Sequence, residues 1–239
     1  MEQNKITILS TRTIDPLLMS EAASKNIIVD AISFIKTEST SSIQTQQEIE
    51  QLATMQATVV FTSANAVEAV GAELDGYQPD WQIFCTSHAT REAVEKFFQK
   101  NSIVGTAQNA SELASAIVKN TDAHEAIFFC GDQRRDELPN ILRDADIEVN
   151  EIVVYQTVAI PHKVEKKYNG ILFFSPSAVK SFFQKNKLGE QTVLFAIGET
   201  TADELRHFSK NKIIVSSQPD KRDLLKEVIL YFQVNPIHH

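Results

Sequence analysis

Four short segments of this chain could hold an anion without carrying positive charge: Thr62-Ser63-Ala64-Asn65, Ser87-His88-Ala89-Thr90, Ser175-Pro176-Ser177 and Gly198-Glu199-Thr200-Thr201. Each follows a short β-branched and aromatic run and precedes apolar residues at helical spacing, so each is expected to start a helix beyond the carboxyl end of a strand. Unsatisfied backbone N–H groups at a helix N-terminus, backed by the helix dipole, attract carboxylates and phosphates. Thr62, Ser63, Asn65, Thr90, Ser175, Ser177, Gly198, Thr200 and Thr201 are therefore candidate binding residues. An ordinary helix cap accounts equally well for any one of the hydroxyls. Arg12, after the first apolar run, and Arg135, after a later one, are candidate forks for a carboxylate, with solvated surface arginine as the plain alternative.

The strands that must position these turns read as ITIL at 6–9, IIVDAISFI at 27–35, TVVF at 58–61, QIFC at 82–85, IV at 103–104, AIFF at 126–129, VNEIVVY at 149–155, GILFF at 170–174, VLFAI at 193–197 and KIIV at 212–215. Helical patterns separate most of them, which implies parallel sheets. Such sheets are covered on both faces, and that explains why the strands are almost continuously apolar rather than alternating. Ligands of doubly wound sheets sit beyond the carboxyl ends of the strands, where the four segments fall. Residues 44–55 and 203–208 read as ordinary amphipathic or solvated helix, and 144–146 as an exposed turn.

The chain also repeats itself in a broken order. VVFTSANAVEAV at 59–70 realigns with ILFFSPSAVKSF at 171–182, placing Ser63 on Ser175, and IFCTSHATREAVEKF at 83–97 realigns with LFAIGETTADELRHF at 194–208. SELASAIV at 111–118 realigns with RDLLKEVI at 222–229, and residues 6–37 with 126–157. A period this long signals a duplicated domain rather than a solenoid. Either two consecutive domains or two crossings satisfy the pattern. The economical arrangement is two crossings, with one domain holding 1–35 plus 160–239, the other holding 38–154, and 35–37 and 155–157 as paired connecting strands.

Composition narrows the function. A chain of 239 residues with 43% hydrophobic content is long enough for two domains with real cores. A net charge of −8 argues against a general binder of nucleic acid or of membrane surfaces. No apolar run approaches the roughly 20 residues of a membrane span, and Met1-Glu2-Gln3-Asn4-Lys5 lacks the apolar stretch of an export signal, so a cytoplasmic protein is expected. Cys85 and Cys130 lie inside apolar strand runs and are expected to be buried thiols rather than a disulfide. Neither G-x-G-x-x-G nor G-x₄-G-K-[ST] occurs, and no metal-ligand cluster is visible, so no cofactor is expected. A receiver domain would need an acidic pair where this chain has Ser10-Thr11-Arg12.

FTSANAV at 61–67, GDQRRDELPNILRDADIEVNEIVVYQT at 131–157, FSPSAVKSF at 174–182, AIGETTADEL at 196–205 and SSQPDKRDLLKEVI at 216–229 together resemble the uroporphyrinogen-III synthase family, in the family's order and over nearly the whole chain. One departure is Ser87-His88-Ala89-Thr90, where the family pattern would put a glycine before the x-A-T. The resemblance implies an α/β fold of two flavodoxin-like, doubly wound parallel-sheet domains, joined by a two-stranded β-ladder linker, with a substrate cleft between them. It implies a cofactor-free, monomeric lyase that closes the linear tetrapyrrole hydroxymethylbilane into uroporphyrinogen III with inversion of ring D and loss of water. The substrate carries eight carboxylates, which suits the helix starts. By the same resemblance Tyr155 is the catalytic candidate, facing the cleft from the connecting strand where its hydroxyl would hydrogen-bond the departing hydroxyl; simple strand packing is the alternative. His88 sits at a helix start facing the cleft. His124, His162 and His207 read as surface residues, and His238-His239 as native or a tag remnant. A non-catalytic hinged binding protein would share this architecture and is the rival function.

Overall fold

The computed structural model describes residues 5–40, 42–120, 123–218 and 220–235. His238, His239 and the first four residues, on which expectations were stated, lie outside them. The chain divides into two compact units, Met1–Lys36 with Val158–His239, and Thr37–Thr157. It therefore leaves the first unit once and returns to it once.

The first unit is built on a five-stranded sheet in the order β11-β10-β9-β1-β2, with β1 at Ile6–Ser10, β2 at Ile27–Ala31, β9 at Gly170–Phe173, β10 at Val193–Ala196 and β11 at Ile213–Val215. Every pairing is parallel, with Ile8 opposite Val29 on one side and Gly170 on the other. The central strands β9 and β10 are buried at all four positions, as a sheet covered on both faces requires. One face packs Ile8, Leu172 and Phe195 against α1 (Pro16–Ser24) and α9 (Lys221–Val234) through Leu18, Leu225 and Val228. The other packs Leu9, Phe173 and Leu194 against α7 (Pro176–Phe183) and α8 (Glu199–Phe208) through Val179, Phe182 and Leu205.

The second unit carries a six-stranded sheet ordered β3-β8-β7-β4-β5-β6. Its strands are β3 (Ile35–Ser39), β4 (Ala57–Phe61), β5 (Trp81–Thr86), β6 (Ile103–Ala107), β7 (Glu125–Gly131) and β8 (Glu148–Ala159). On one face Phe61 and Phe129 stack with ring centroids 5.5 Å apart, under α2 (Ile43–Ala53), α3 (Ala64–Glu73) and α4 (Ala89–Phe97). On the other, Val60, Phe84 and Phe128 meet Leu113 and Ile117 of α5 (Ala110–Asn120) and Leu138 and Leu142 of α6 (Glu137–Asp144). Sheet order and helix faces thus match the first unit strand for strand when β7, β8, β4, β5 and β6 replace β1, β2, β9, β10 and β11.

The run 27–35, expected as one strand leading into the connecting strand at 35–37, is interrupted after Ala31. Ile32 still donates to Ser10 O at 3.0 Å, but Phe34 then turns fully into the core, 5.2 Å from Phe182 between ring centroids, and Ser33 Oγ donates to Ile35 O at 2.7 Å. Burial of one aromatic and a local side-chain bond to the backbone end β2 within the five-stranded sheet. β3 then joins the edge of the six-stranded one.

Among the described residues no helix is long and apolar enough to cross a membrane. Cys85 and Cys130 are free and buried, and burial pushes each thiol up to about 11.

Candidate functional site

In the second unit, α3 starts at the carboxyl end of β4 with Ser63 as N-cap, and the Ser63 hydroxyl makes no cap hydrogen bond. Only its carbonyl acts there, accepting from Ala66 N at 3.2 Å and Val67 N at 3.3 Å. Thr62, Ser63 and Asn65 are all half-buried, and the first turn of α3 holds no acidic residue. The neighbouring turn into α4 is different. Thr90 is buried, accepting from Thr86 Oγ1 at 2.9 Å, and Glu92 occupies the first turn. Ser87, standing where a glycine was expected from the family pattern, donates to Ala107 O at 3.0 Å and is accommodated without strain. The strain falls on the next residue: His88 is exposed with φ 63° and ψ −126°, a conformation that favours glycine.

Tyr155 stands on β8, half-buried and packed on the core face that holds Phe129, Ile152 and Val154. The register of β8 against β7 shifts between Cys130–Val153 and Gly131–Tyr155, so one extra residue of β8 is accommodated there. That shift sets the tyrosine ring directly against Gly131. Its hydroxyl has no hydrogen-bond partner among the described residues. Arg135, in the β7–α6 turn, is exposed and unpaired among the described residues, whereas Arg134 beside it bridges Asp136 and Glu151, with Glu151 also held by Arg143 at 2.6 Å.

The first unit repeats the arrangement. Ser175 caps α7, its hydroxyl accepting from Ala178 N at 3.2 Å, with Pro176 in the first turn and no acidic residue there. Ser177 is half-buried. Gly198 is the N-cap of α8 in extended backbone, Thr200 is exposed, and Thr201 is only 1% exposed. Glu199 in the first turn of α8, held by Arg206 at 3.3 Å, makes that helix start less hospitable to an anion than that of α7. Arg12, beyond the end of β1, is exposed with its guanidinium 5.9 Å from the centre of the Phe174 ring. Partial desolvation lowers its pKa from the ordinary arginine value, and no carboxylate pairs with it among the described residues.

The candidates therefore gather in two sets. Thr62, Ser63, Asn65, Arg135 and Tyr155 share the carboxyl edge of one sheet, whose strands β4, β7 and β8 are neighbours. Arg12, Ser175, Ser177, Gly198 and Thr200 share the corresponding edge of the other, at neighbouring β1, β9 and β10. Thr90 and Thr201 belong to those turns by position, but both side chains are buried. Two concavities of about 560 Å³ each lie at the opposite, amino-terminal ends of the strands, one beside Ala57, Gln82 and Glu125 and one beside Tyr168, Asn169 and Thr192. His124, His162 and His207 are exposed. No cluster of three or more His, Cys, Asp or Glu suited to a metal occurs among the described residues. Gly131 and Asp132, at the end of β7 beside Tyr155, were not among the sequence candidates.

These features define an α/β protein on two largely parallel sheets, each offering helix N-termini and, among the described residues, an arginine without a carboxylate partner at its carboxyl edge. A family model described as uroporphyrinogen-III synthase HemD matches residues 18–226. The chain belongs to the uroporphyrinogen-III synthase family, lyases that cyclise hydroxymethylbilane in haem biosynthesis. It is 25% identical over 207 residues to the uroporphyrinogen-III synthase of Saccharomyces cerevisiae, covering 72% of this chain and 75% of the yeast protein. The solved uroporphyrinogen-III synthetase of Helicobacter pylori has a similar fold, with a TM-score of 0.65 at 15% identity, covering 95% of this chain and 99% of that one. A mutant uroporphyrinogen III synthase from Thermus thermophilus gives a TM-score of 0.60 at 11% identity, covering 96% and 99%.

Proposed function

We propose that the chain acts on hydroxymethylbilane as a cytoplasmic, cofactor-free monomer, taking up the substrate's carboxylates at helix starts and its leaving hydroxyl near Tyr155. The fold behind this reading is a pair of flavodoxin-like units. Numbered along the repeat, the first sheet runs 2-1-3-4-5 and the second has the same five strands in that order with β3 added at its edge, the order of that class. A two-stranded ladder joining them is supported by Thr40 N donating to Val154 O at 2.8 Å and Ile160 N to Phe34 O at 2.9 Å, the pattern of antiparallel neighbours.

Loss of the terminal hydroxyl as water leaves an azafulvene electrophile; ring closure through a spiro-pyrrolenine and reclosure then invert ring D. The unaided bilane also cyclises, to the unrearranged isomer. Catalysis is consequently mostly orientation of a reactive intermediate, for which many weak carboxylate contacts are suited. The α3 and α7 starts, free of first-turn acids, are the principal anchors, with Arg12 and Arg135 as charged supplements. Thr62, Asn65, Ser177, Gly198 and Thr200 add backbone or hydroxyl contacts. Buried Thr90 and Thr201 contribute through their backbone turns. No formal positive charge is needed at the helix starts, which reconciles an acidic protein with an acidic substrate.

The observation that carries the catalytic assignment is the Tyr155 hydroxyl, its ring packed against Gly131 yet its oxygen without a hydrogen-bond partner among the described residues. It can donate to the departing hydroxyl. Removing it in Tyr155→Phe should lower kcat about tenfold, the equivalent of roughly 1.4 kcal/mol, with a largely unchanged KM. Full isomer III production by that variant at saturating substrate would remove Tyr155 from the mechanism.

A further inference from the structure

Gly131 ends β7 directly beneath the Tyr155 ring. A Cβ built at Gly131 would lie 2.4 Å from Tyr155 Cζ, 2.6 Å from Cε2 and 2.7 Å from the hydroxyl oxygen, distances no real methyl group tolerates. Its backbone is not in the left-handed region, so conformation does not demand glycine here; proximity does. The register shift between Cys130 and Gly131 produces this closeness by setting Tyr155 opposite Gly131. The following residue then fixes the backbone from the tyrosine carbonyl onward. Asp132 N donates to Tyr155 O at 3.1 Å, and Asp132 Oδ1 accepts from Thr157 N at 2.9 Å. Three successive features thus act on one side chain: the bulge turns it, the bare glycine admits it, and the aspartate clamps its strand.

We infer that Gly131 and Asp132 are positioning residues, which set the direction of the Tyr155 hydroxyl without touching substrate. The inference rests on Tyr155 being the donor proposed above. In Gly131→Ala the clash falls on the outer end of a half-buried aromatic side chain, not on backbone, so the ring gives way before the strand does. The fold is therefore retained while the hydroxyl moves by about 1 Å, a displacement sufficient to cost much of its catalytic effect.

The test is a cycle of Gly131→Ala, Tyr155→Phe and the double variant, assayed with hydroxymethylbilane alongside thermal melts. Gly131→Ala should lower kcat about tenfold with KM within about twofold, and the double variant should equal Tyr155→Phe, because a wall cannot orient a hydroxyl that is gone. On the exposed Asp132, Asp132→Ala should lower kcat several-fold and Asp132→Asn restore it, since the amide oxygen still accepts from Thr157 N. This pair decides the matter even where Gly131→Ala melts early. A wild-type kcat for Gly131→Ala, a further tenfold fall in the double variant, or Asp132→Asn as slow as Asp132→Ala would each overturn the positioning role. A fully active Tyr155→Phe would instead bring down the donor assignment on which it rests, and the two failures are told apart by that single arm.

Discussion

Ser63 and Ser175 occupy the same place in the two copies, yet the structure assigns their hydroxyls different work. Ser175 Oγ accepts from Ala178 N at 3.2 Å, whereas Ser63 Oγ has no such bond and α3 is capped by the Ser63 carbonyl alone. Replacing Ser175 by alanine strands an N–H in the first turn of α7 and should cost about 1 kcal/mol, typical of a lost cap. In a protein of this size that is a fall in Tm of about 2–4 °C. Ser63→Ala removes no internal bond and should stay within about 0.5 kcal/mol of the parent. Its hydroxyl is free for a substrate carboxylate, and losing one partly solvated bond to a charged group should raise KM about three- to tenfold with kcat little changed. Melting curves and steady-state kinetics on both variants, with isomer III quantified by chromatography, separate the two roles. If Ser63→Ala melted as early as Ser175→Ala and kept the parental KM, the serine at 63 would be a cap and the reasoning would fail.

His88→Gly should raise stability by about 1 kcal/mol, because relief of a strained positive φ outweighs glycine's added freedom in the unfolded chain, and a melt about 2–4 °C higher would show it. An unchanged or lower Tm would mean that His88 is not strained. Asp30 accepts from Lys166 Nζ at 2.6 Å and from Tyr168 Oη at 2.8 Å, bonds that hold its carboxyl below the usual carboxylate range, the lysine contributing most. A depressed folded pKa gives stability that is present above the unfolded value and lost as pH falls through the folded one. Asp30→Asn should therefore lower Tm by about 1–2 °C at pH 6–7, as expected for a surface pair, with the difference vanishing as pH falls below about 4. A deficit that persisted undiminished at pH 2–3 would show that the charge plays no part.

The sheets were legible because burial on both faces leaves a plain mark. TVVF, GILFF and VLFAI are continuous apolar runs, and β4, β9 and β10 are the buried centres of their sheets. The break at residues 32–34 was not legible, since apolar residues resume on both sides of Asp30 and Ser33 as they would in one continuous strand. What divides it is the burial of Phe34 against Phe182, a contact made across the fold. The helix starts were readable from their Ser, Thr and Gly residues after strands, but not which hydroxyls were already engaged. Thr90 is turned toward Thr86 and Ser175 toward its own helix, while Ser63 is not, and such differences depend on geometry of a few tenths of an ångström. Tyr155 was singled out through the family resemblance. The glycine that admits its ring was passed over because its need for a missing side chain arises from a register shift that no sequence pattern announces.

Closure of hydroxymethylbilane by this chain is proposed to rest mostly on orientation, with no metal or nucleotide taking part. The most direct measurement is incubation of the purified protein, after dialysis against a chelator, with freshly prepared hydroxymethylbilane, followed by chromatographic separation of the type I and type III isomers. Predominant isomer III is expected with no metal or nucleotide added. Isomer I at the rate of the protein-free control, or isomer III only on restoring a metal or nucleotide, would contradict it.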